Sequence, residues 1–305
     1  MLKISLMIEG QNGLNWPRWK KIVVAAEELG FFGLYRSDHF TNSNPPDMDS
    51  LELWVSLTWL AANTNRIRFG PLVSPLSFRH PVMTARMAAA VDNLSNGRLV
   101  LGLGAGWQER EHDKFGFDLL PISERFTRFE EGLRVISLLM QNATPVSFQG
   151  NYYRLHEAIL LPRPARAGGP PILIGGVGEK RTLPLVARYA SEWNAVFISK
   201  FRYIQLNQRL DELMSQVGRS PMDVRRSMMN GCIFARNKAD LEKKLSQRRH
   251  SFEEYRQNGT FIGESIQIAD QITEFEDTGA REVMLQWLDL DDLDGLEQMA
   301  KALLK

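Results

Sequence analysis

The chain has 305 residues, 44% of them hydrophobic and 24% charged. A chain of this length buries about three-quarters of its extended surface on folding, which excludes a small scaffold that depends on disulfides. Its 37 Lys and Arg against 36 Asp and Glu leave a net charge of +1, so no global field attracts a polyanion and nucleic acid is not expected as a partner.

Residues 3–9 are a short apolar run compatible with a strand. After a Gly-Asn loop, residues 16–29 follow a helical pattern with Pro17 near its start and Gly30 as its stop. A second short run at 31–35 ends in Ser37-Asp38-His39, and a loop rich in Asn and Pro leads to a helix over 50–63. The same grammar repeats as strand 67–75, helix 81–95, strand 98–106 and a long helix near 121–142. Over 143–165 the rhythm breaks, and a Gly-Asn turn at 150–151 marks a hairpin-like excursion. Alternation resumes with strand 170–176, helix 179–190, strand 193–198, helix 200–217 and a strand over 229–236. The stretch 238–260 is charged and poorly patterned, which reads as a mobile segment or a solvated helix. A helix over 265–278, a strand over 282–287 and a helix from 290 to 304 complete the chain.

Eight strand candidates alternate with helices, which implies parallel pairing. The expected fold is an α/β (β/α)8 TIM barrel with insertions, and a doubly wound open sheet is its rival. No linker or shift of composition divides the chain, so residues 1–305 read as a single domain with insertion segments near 143–165 and 238–262. Glu9 follows the first apolar run too soon for a signal peptide, and no uncharged stretch is long enough to cross a bilayer. Cys232 is the single cysteine; it has no partner for a disulfide or a zinc site and reads as a small buried thiol. The expected setting is cytoplasmic, away from membranes.

In such a barrel the loops after the strand C-termini build the site. Glu9, Ser37-Asp38-His39, Ser74-Pro75, Gly104-Ala105-Gly106-Trp107, Gly175-Gly176-Val177-Gly178, Phe197 and Trp287 therefore belong around one mouth. The run from Gly102 to Trp107 lets the backbone approach an anion, or is a plain glycine turn; Trp107 stands where a dinucleotide fingerprint needs its third glycine. Gly175-Gly176-Val177-Gly178 opens a helix after an apolar strand, with Lys180 and Arg181 in the first turn, where cations oppose the helix dipole. A bound phosphate would offset that conflict, and the bland alternative is a strand–helix turn. Asp38 and His39 set a carboxylate beside an imidazole, suited to acid–base work or to a capped turn. Arg79 could hold an anion or simply enter a helix beside Pro81. His112, His156 and His250 lack metal-ligand spacing, and no hydrolytic nucleophile motif is present, so no metal is expected. Trp16, Trp54, Trp59 and Trp193 read as core or interface.

The pieces Asp38-His39-Phe40, residues 72–117, Glu124-Arg125-Phe126 and residues 170–190 together resemble the luciferase-like monooxygenase superfamily. They are most similar to its deazaflavin (coenzyme F420)-dependent oxidoreductase branch. The resemblance spans nearly the whole chain in order and implies a (β/α)8 barrel carrying F420, or alternatively FMN, across its mouth. It implies that Asp38 and His39 flank the ring as catalytic residues, with His39 the acid/base. It places Ser74 against the ring and Leu72 where the family often has a non-proline cis peptide. Gly104 and Gln108 line one side, and Gly175, Gly176, Gly178 and Arg181 hold the phosphate. One departure stands out: Ala105 occupies the position of a second acid/base Glu in the sugar-phosphate dehydrogenase of the superfamily, and Glu109 and Glu111 on the next helix cannot be assumed to replace it.

The resulting expectation is an F420-dependent oxidoreductase moving a hydride between the deazaflavin and a small-molecule substrate. An FMN-dependent monooxygenase using reduced flavin and oxygen, and a non-catalytic flavin-binding barrel, are the alternatives. A homodimer paired through helices 50–63 and 81–95 follows by analogy with the family. Substrate choice falls to loops 41–49, 143–165 and 238–262, the last with Phe252, Tyr255 and Phe261 as a lid or as a disordered charged segment.

Overall fold

A computed structural model describes residues 2–304. Eight parallel strands form the barrel: Lys3–Ile8, Gly33–Arg36, Arg68–Pro71 continued by Ser74–Pro75, Leu101–Gly104, Ile172–Gly175, Glu192–Val196, Arg225–Phe234 and Glu282–Gln286. The hydrogen-bonded path runs from the third strand through the second and first to the eighth, then down to the fourth. Ser74–Pro75 pairs with Leu103–Gly104 and Phe69 bridges Leu99, which joins the path's two ends. The sheet is closed, and the open-sheet rival is excluded.

Local signals explain the elements. The helix Trp16–Leu29 begins where Asn15 accepts a hydrogen bond from the Arg18 N–H at 3.2 Å. It ends where Gly30, at φ 94°, donates back to the Ala26 carbonyl. On the first strand, Leu6 and Ile8 join the core beneath the helices while Met7 joins a second apolar cluster with Tyr35, Leu72, Val100, Leu173, Met229 and Met284. This alternation separates the inside of the barrel from its helical jacket. Gly70 and Gly102 have no room for a side chain, because a Cβ would run into the backbone carbonyls of Val100 and Pro71.

The excursion over 143–165 is an antiparallel hairpin, Val146–Gln149 with Arg154–Ala158. Its turn is held by Glu131 of the helix Ile122–Gln141, which accepts from the N–H groups of Asn151 and Tyr152 at 2.8 Å. The stretch 238–260 takes the solvated-helix form of its two readings. It forms the helices Lys238–Ser246 and Phe252–Gln257, and Phe261–Gly263 then pairs in parallel with Cys232–Phe234. Phe261 is fully buried and is therefore a core residue rather than part of a lid. The seventh strand starts at Arg225, not 229, and the helix expected over 179–190 starts at Thr182. Cys232 is buried, as expected, and burial raises its thiol to about 12. Among the described residues no helix is long and apolar enough to cross a membrane, and no three His, Cys, Asp or Glu gather as metal ligands.

The N-terminal end of the barrel is plugged by charge. Arg68, Glu192, Arg225 and Glu282 are the first residues of four strands. Arg68 reaches Glu192 at 3.5 Å and Glu282 at 3.4 Å, while Arg225 reaches Glu282 at 3.3 Å. Burial, with the charge of Glu282 adding to it, pushes the Glu192 carboxyl up to about 7. The folded protein therefore keeps a proton that the unfolded chain releases at lower pH, so this group makes stability fall as pH rises from about 4.5 to about 7. Glu192→Gln is expected to remove that decline and to be more stable than the parent at pH 8 by up to about 3 kcal/mol. Urea midpoints measured from pH 5 to pH 8 check it, and parallel curves for the two proteins would refute the assignment.

Candidate active site

At the opposite end the strand C-termini surround a cavity of about 500 Å³. Met7 and Glu9 come from the first strand and its loop, Ser37 and His39 from the second, and Leu72, Val73 and Pro75 from the third. Gly106 and Trp107 follow the fourth, Gly175 and Gly176 end the fifth, and Val196, Phe197 and Met229 close the wall. The eighth strand takes part indirectly: Gln286 donates to Glu9 at 2.7 Å, and Gln11 donates to the other Glu9 oxygen at 2.8 Å. The interrupted third strand contains a cis peptide between Leu72 and Val73, and both residues line the cavity.

His39 is held by Glu111, a residue 72 positions away on the helix Glu109–Phe115. Nδ1 of His39 lies 2.8 Å from Glu111 Oε1, and Glu111 Oε2 accepts the Phe40 N–H at 3.0 Å. With a carboxylate as its partner, Nδ1 carries the hydrogen, which leaves Nε2 as the ring nitrogen for the cavity. Trp107 meets the imidazole edge-on at 5.5 Å. Burial alone would lower the imidazole pKa, but the hydrogen bond and charge of Glu111, with Glu9 and Asp38 adding, raise it above its ordinary value. Glu109 is exposed while Glu111 is buried, so the two carboxylates left open by the sequence have different fates.

Asp38 takes another direction. It is buried, accepts from Ser74 Oγ at 2.7 Å and forms a close ion pair with Arg79, which also reaches Glu52 at 3.0 Å. Burial raises the Asp38 carboxyl above its usual range, although Arg79 and Ser74 oppose the rise. Neither Asp38 nor Ser74 lines the cavity; they form a charged brace beneath its wall, and Arg79 is part of that brace rather than a simple helix-entry residue.

Gly104 and Gln108 also sit behind the wall. A Cβ at Gly104 would lie 2.6 Å from Val73 Cγ2, so the missing side chain makes room for Val73. Gln108 is buried, donates to the Thr41 carbonyl at 3.0 Å and lies 3.3 Å from His39 Nδ1. At the fifth strand, Gly175 and Gly176 line the cavity while Gly178 and Arg181 stand outside it. Gly176 has φ 123°, a conformation suited to glycine. Its N–H donates to the Asn194 carbonyl, but among the described residues no hydrogen bond uses the N–H groups of Val177, Gly178, Glu179 or Lys180. Lys180 and Arg181 precede the helix Thr182–Tyr189 rather than filling its first turn, with Arg181 at its N-cap and over the Phe126 ring. A smaller cavity of about 270 Å³ adjoins here, lined in part by Val177 and sharing Phe197 with the mouth cavity.

The remaining candidates are structural. His112 bridges the Gln108 carbonyl and Ser77, at 2.7 and 2.8 Å, and Trp193 stacks on Tyr203. Trp287 is buried in the core. Sequence reasoning assigned no role to Glu111, Gln11 or Gln286; periodicity shows that Glu111 lies on a helix but not which strand end it meets.

The sequence model of the luciferase-like monooxygenase family matches residues 4–299. A phthiodiolone/phenolphthiodiolone dimycocerosates ketoreductase of Mycobacterium bovis is 32% identical over 205 residues, which is 66% of this chain and 52% of that one. An F420-dependent glucose-6-phosphate dehydrogenase of Intrasporangium calvum is 33% identical over 215 residues, 67% of this chain and 61% of the relative. The matches thus span between half and three-fifths of these relatives' own length. A solved F420-dependent secondary alcohol dehydrogenase, captured with an F420-acetone adduct, superimposes with a TM-score of 0.85 at 16% identity, covering 99% of both chains.

The brace beneath the wall is testable by stability. Arg79→Met leaves Asp38 buried without its cation and is expected to cost about 3–5 kcal/mol. Denaturant unfolding at neutral pH measures the loss, and a cost below about 1 kcal/mol would show that the pair is solvated like a surface bridge.

Proposed function

The chain belongs to the luciferase-like monooxygenase family, and from that premise we propose that it is an F420-dependent oxidoreductase moving a hydride between the deazaflavin and a small organic substrate. One observation carries the reading: an imidazole with its own buried carboxylate and the glycine corner Gly175-Gly176 line the same cavity, and the unused N–H groups of Val177 to Lys180 follow that corner directly in the chain.

The residues suit the group. The N–H groups of Val177 to Lys180 offer donors to a phosphate, as backbone nests do elsewhere, and Gly175 and Gly176 keep the adjoining wall free of side chains. Leu72, Val73, Val196 and Met229 form an apolar slot for a flat ring and exclude water from it. A bound deazaflavin supplies two-electron chemistry as a hydride donor or acceptor. His39 holds or moves the proton that substrate oxygen gains or loses, through Nε2. Glu111 fixes its tautomer and orientation, and Asp38, Ser74 and Arg79 position the loop that carries it. The same reading includes a cytoplasmic homodimer; exposed Val55, Met83 and Leu94 on the helices Leu53–Asn63 and Pro81–Leu94 support a partner there.

Titrating the purified protein with F420 and with FMN tests the cofactor. F420 is expected to bind at least about 100-fold tighter, equivalent to about 2.7 kcal/mol, and the reverse order would overturn the choice. His39→Ala is expected to lower turnover about 100- to 10,000-fold with cofactor affinity nearly unchanged; loss of both together would make His39 structural. Glu111→Gln removes the charge that raises His39, so burial then dominates and the imidazole pKa falls. Protonated His39 is then lost at lower pH than in the parent, and the basic limb of the pH–rate profile should move toward acid. An NMR titration of His39 gives the same readout without substrate, and an unmoved midpoint would rule out the positioning role.

A further inference from the structure

Phe197 stands apart on two independent counts. It is the only residue common to the mouth cavity of about 500 Å³ and the side cavity of about 270 Å³. It also has φ 47°, in the left-handed region that an aromatic residue seldom occupies. Among the described residues the other non-glycine positions with positive φ are Asn96 and Glu157, and neither lines these two cavities. The conformation is enforced from several sides. The Phe197 N–H donates to the Met229 carbonyl at 2.9 Å. The buried Asn230 side chain then holds both backbone groups of Ile198, accepting from its N–H at 2.8 Å and donating to its carbonyl at 3.0 Å. Gly259 closes on the same carbonyl so tightly that a Cβ there would lie 2.2 Å from the oxygen. Backbone strain persists only where its surroundings over-determine it, and it gathers at ligand clamps. Core packing does not explain it here, because the side chain is 58% exposed.

The two cavities differ in character. Gly176 lines the mouth, which is largely apolar, and the next residue, Val177, lines the side cavity. Beyond Phe197 the side cavity is polar, with Ser199, Arg202, Gln257 and Asn258 on its wall, and it begins at the unused N–H groups that follow Gly176. We infer that the two cavities are halves of one elongated cofactor site, and that Phe197 is a positioning residue whose ring clasps the chain between the flat ring system and the phosphate. The inference rests on the reading above for the cofactor; F420 and FMN share a tricycle, a polyol chain and a phosphate, so the clasp serves either. Closing over that chain buries phenyl surface otherwise left in water, which gives a large exposed aromatic side chain its purpose. Such a contact opposes escape more than entry, so its loss is read in the rate of release.

Stopped-flow release of F420 and of FMN from the full chain, followed by cofactor fluorescence, is paired with urea midpoints measured without cofactor. Phe197→Asn removes the ring and suits a left-handed backbone. It is expected to release cofactor about tenfold faster while unfolding at a midpoint equal to or above the parent's. Phe197→Leu keeps apolar cover together with the strain, so release should stay within about threefold of the parent with no gain in midpoint. Unchanged release from the Asn variant, or faster release with a midpoint below the parent's, would overturn the inference. So would a Leu variant that releases as fast as the Asn variant. If F420 binds and leaves all three proteins alike, the clasp falls alone. If FMN binds in place of F420 and the variants keep the stated order, the choice of F420 falls and the clasp stands. If the parent binds neither, both readings fall.

Discussion

Eight parallel strands close into a ring only where the third and fourth come within backbone contact. Gly70 and Gly102 make that contact possible, since a side chain at either would strike the opposite strand's carbonyl. The closure decides the rest of the molecule. It gathers every strand C-terminus at one end, so that residues as far apart as Met7, His39, Gly176 and Met229 share a single cavity. It also gathers the first residues of four strands at the other end, where two arginines and two glutamates form a plug.

The two ends use buried charge for different purposes. At the plug, Glu192 and Glu282 share two arginines whose guanidinium groups also lie over the Phe32 ring at 5.2 and 5.3 Å. There the arrangement shapes stability. At the mouth the carboxylates are separated by role. Asp38 is neutralised by Arg79 behind the wall, Glu111 is spent on orienting His39, and Glu9 is the one that reaches the cavity. The outcome is an apolar slot in which, among the described residues, Glu9 and His39 are the titratable side chains on the wall.

Barrel topology was legible because most strands are short, apolar runs and each is followed by a helix, and those signals are local. The turn at 150–151, the stop at Gly30 and the corner at Gly175-Gly176 all appear where the residues said they would. For the stretch 238–260 the residues left a mobile segment and a solvated helix both open. Its helices are amphipathic only weakly, with charged residues facing solvent, and the strand Phe261–Gly263 is three residues long and recognisable only by its pairing with Cys232–Phe234. Arg181 was read inside a helix that begins one residue later, a shift no propensity resolves.

The sequence alone determined the order of elements, the barrel they imply, and the strand ends at which chemistry could sit, because periodicity and glycine corners act over a few residues. Only the tertiary structure decided that Glu111 serves His39, that Asp38 turns away to Arg79, and that Phe261 belongs to the core. Adjacent residues at a strand end point in different directions, and what each meets is set by an element 40 to 70 residues away, whose position depends on how the barrel closes.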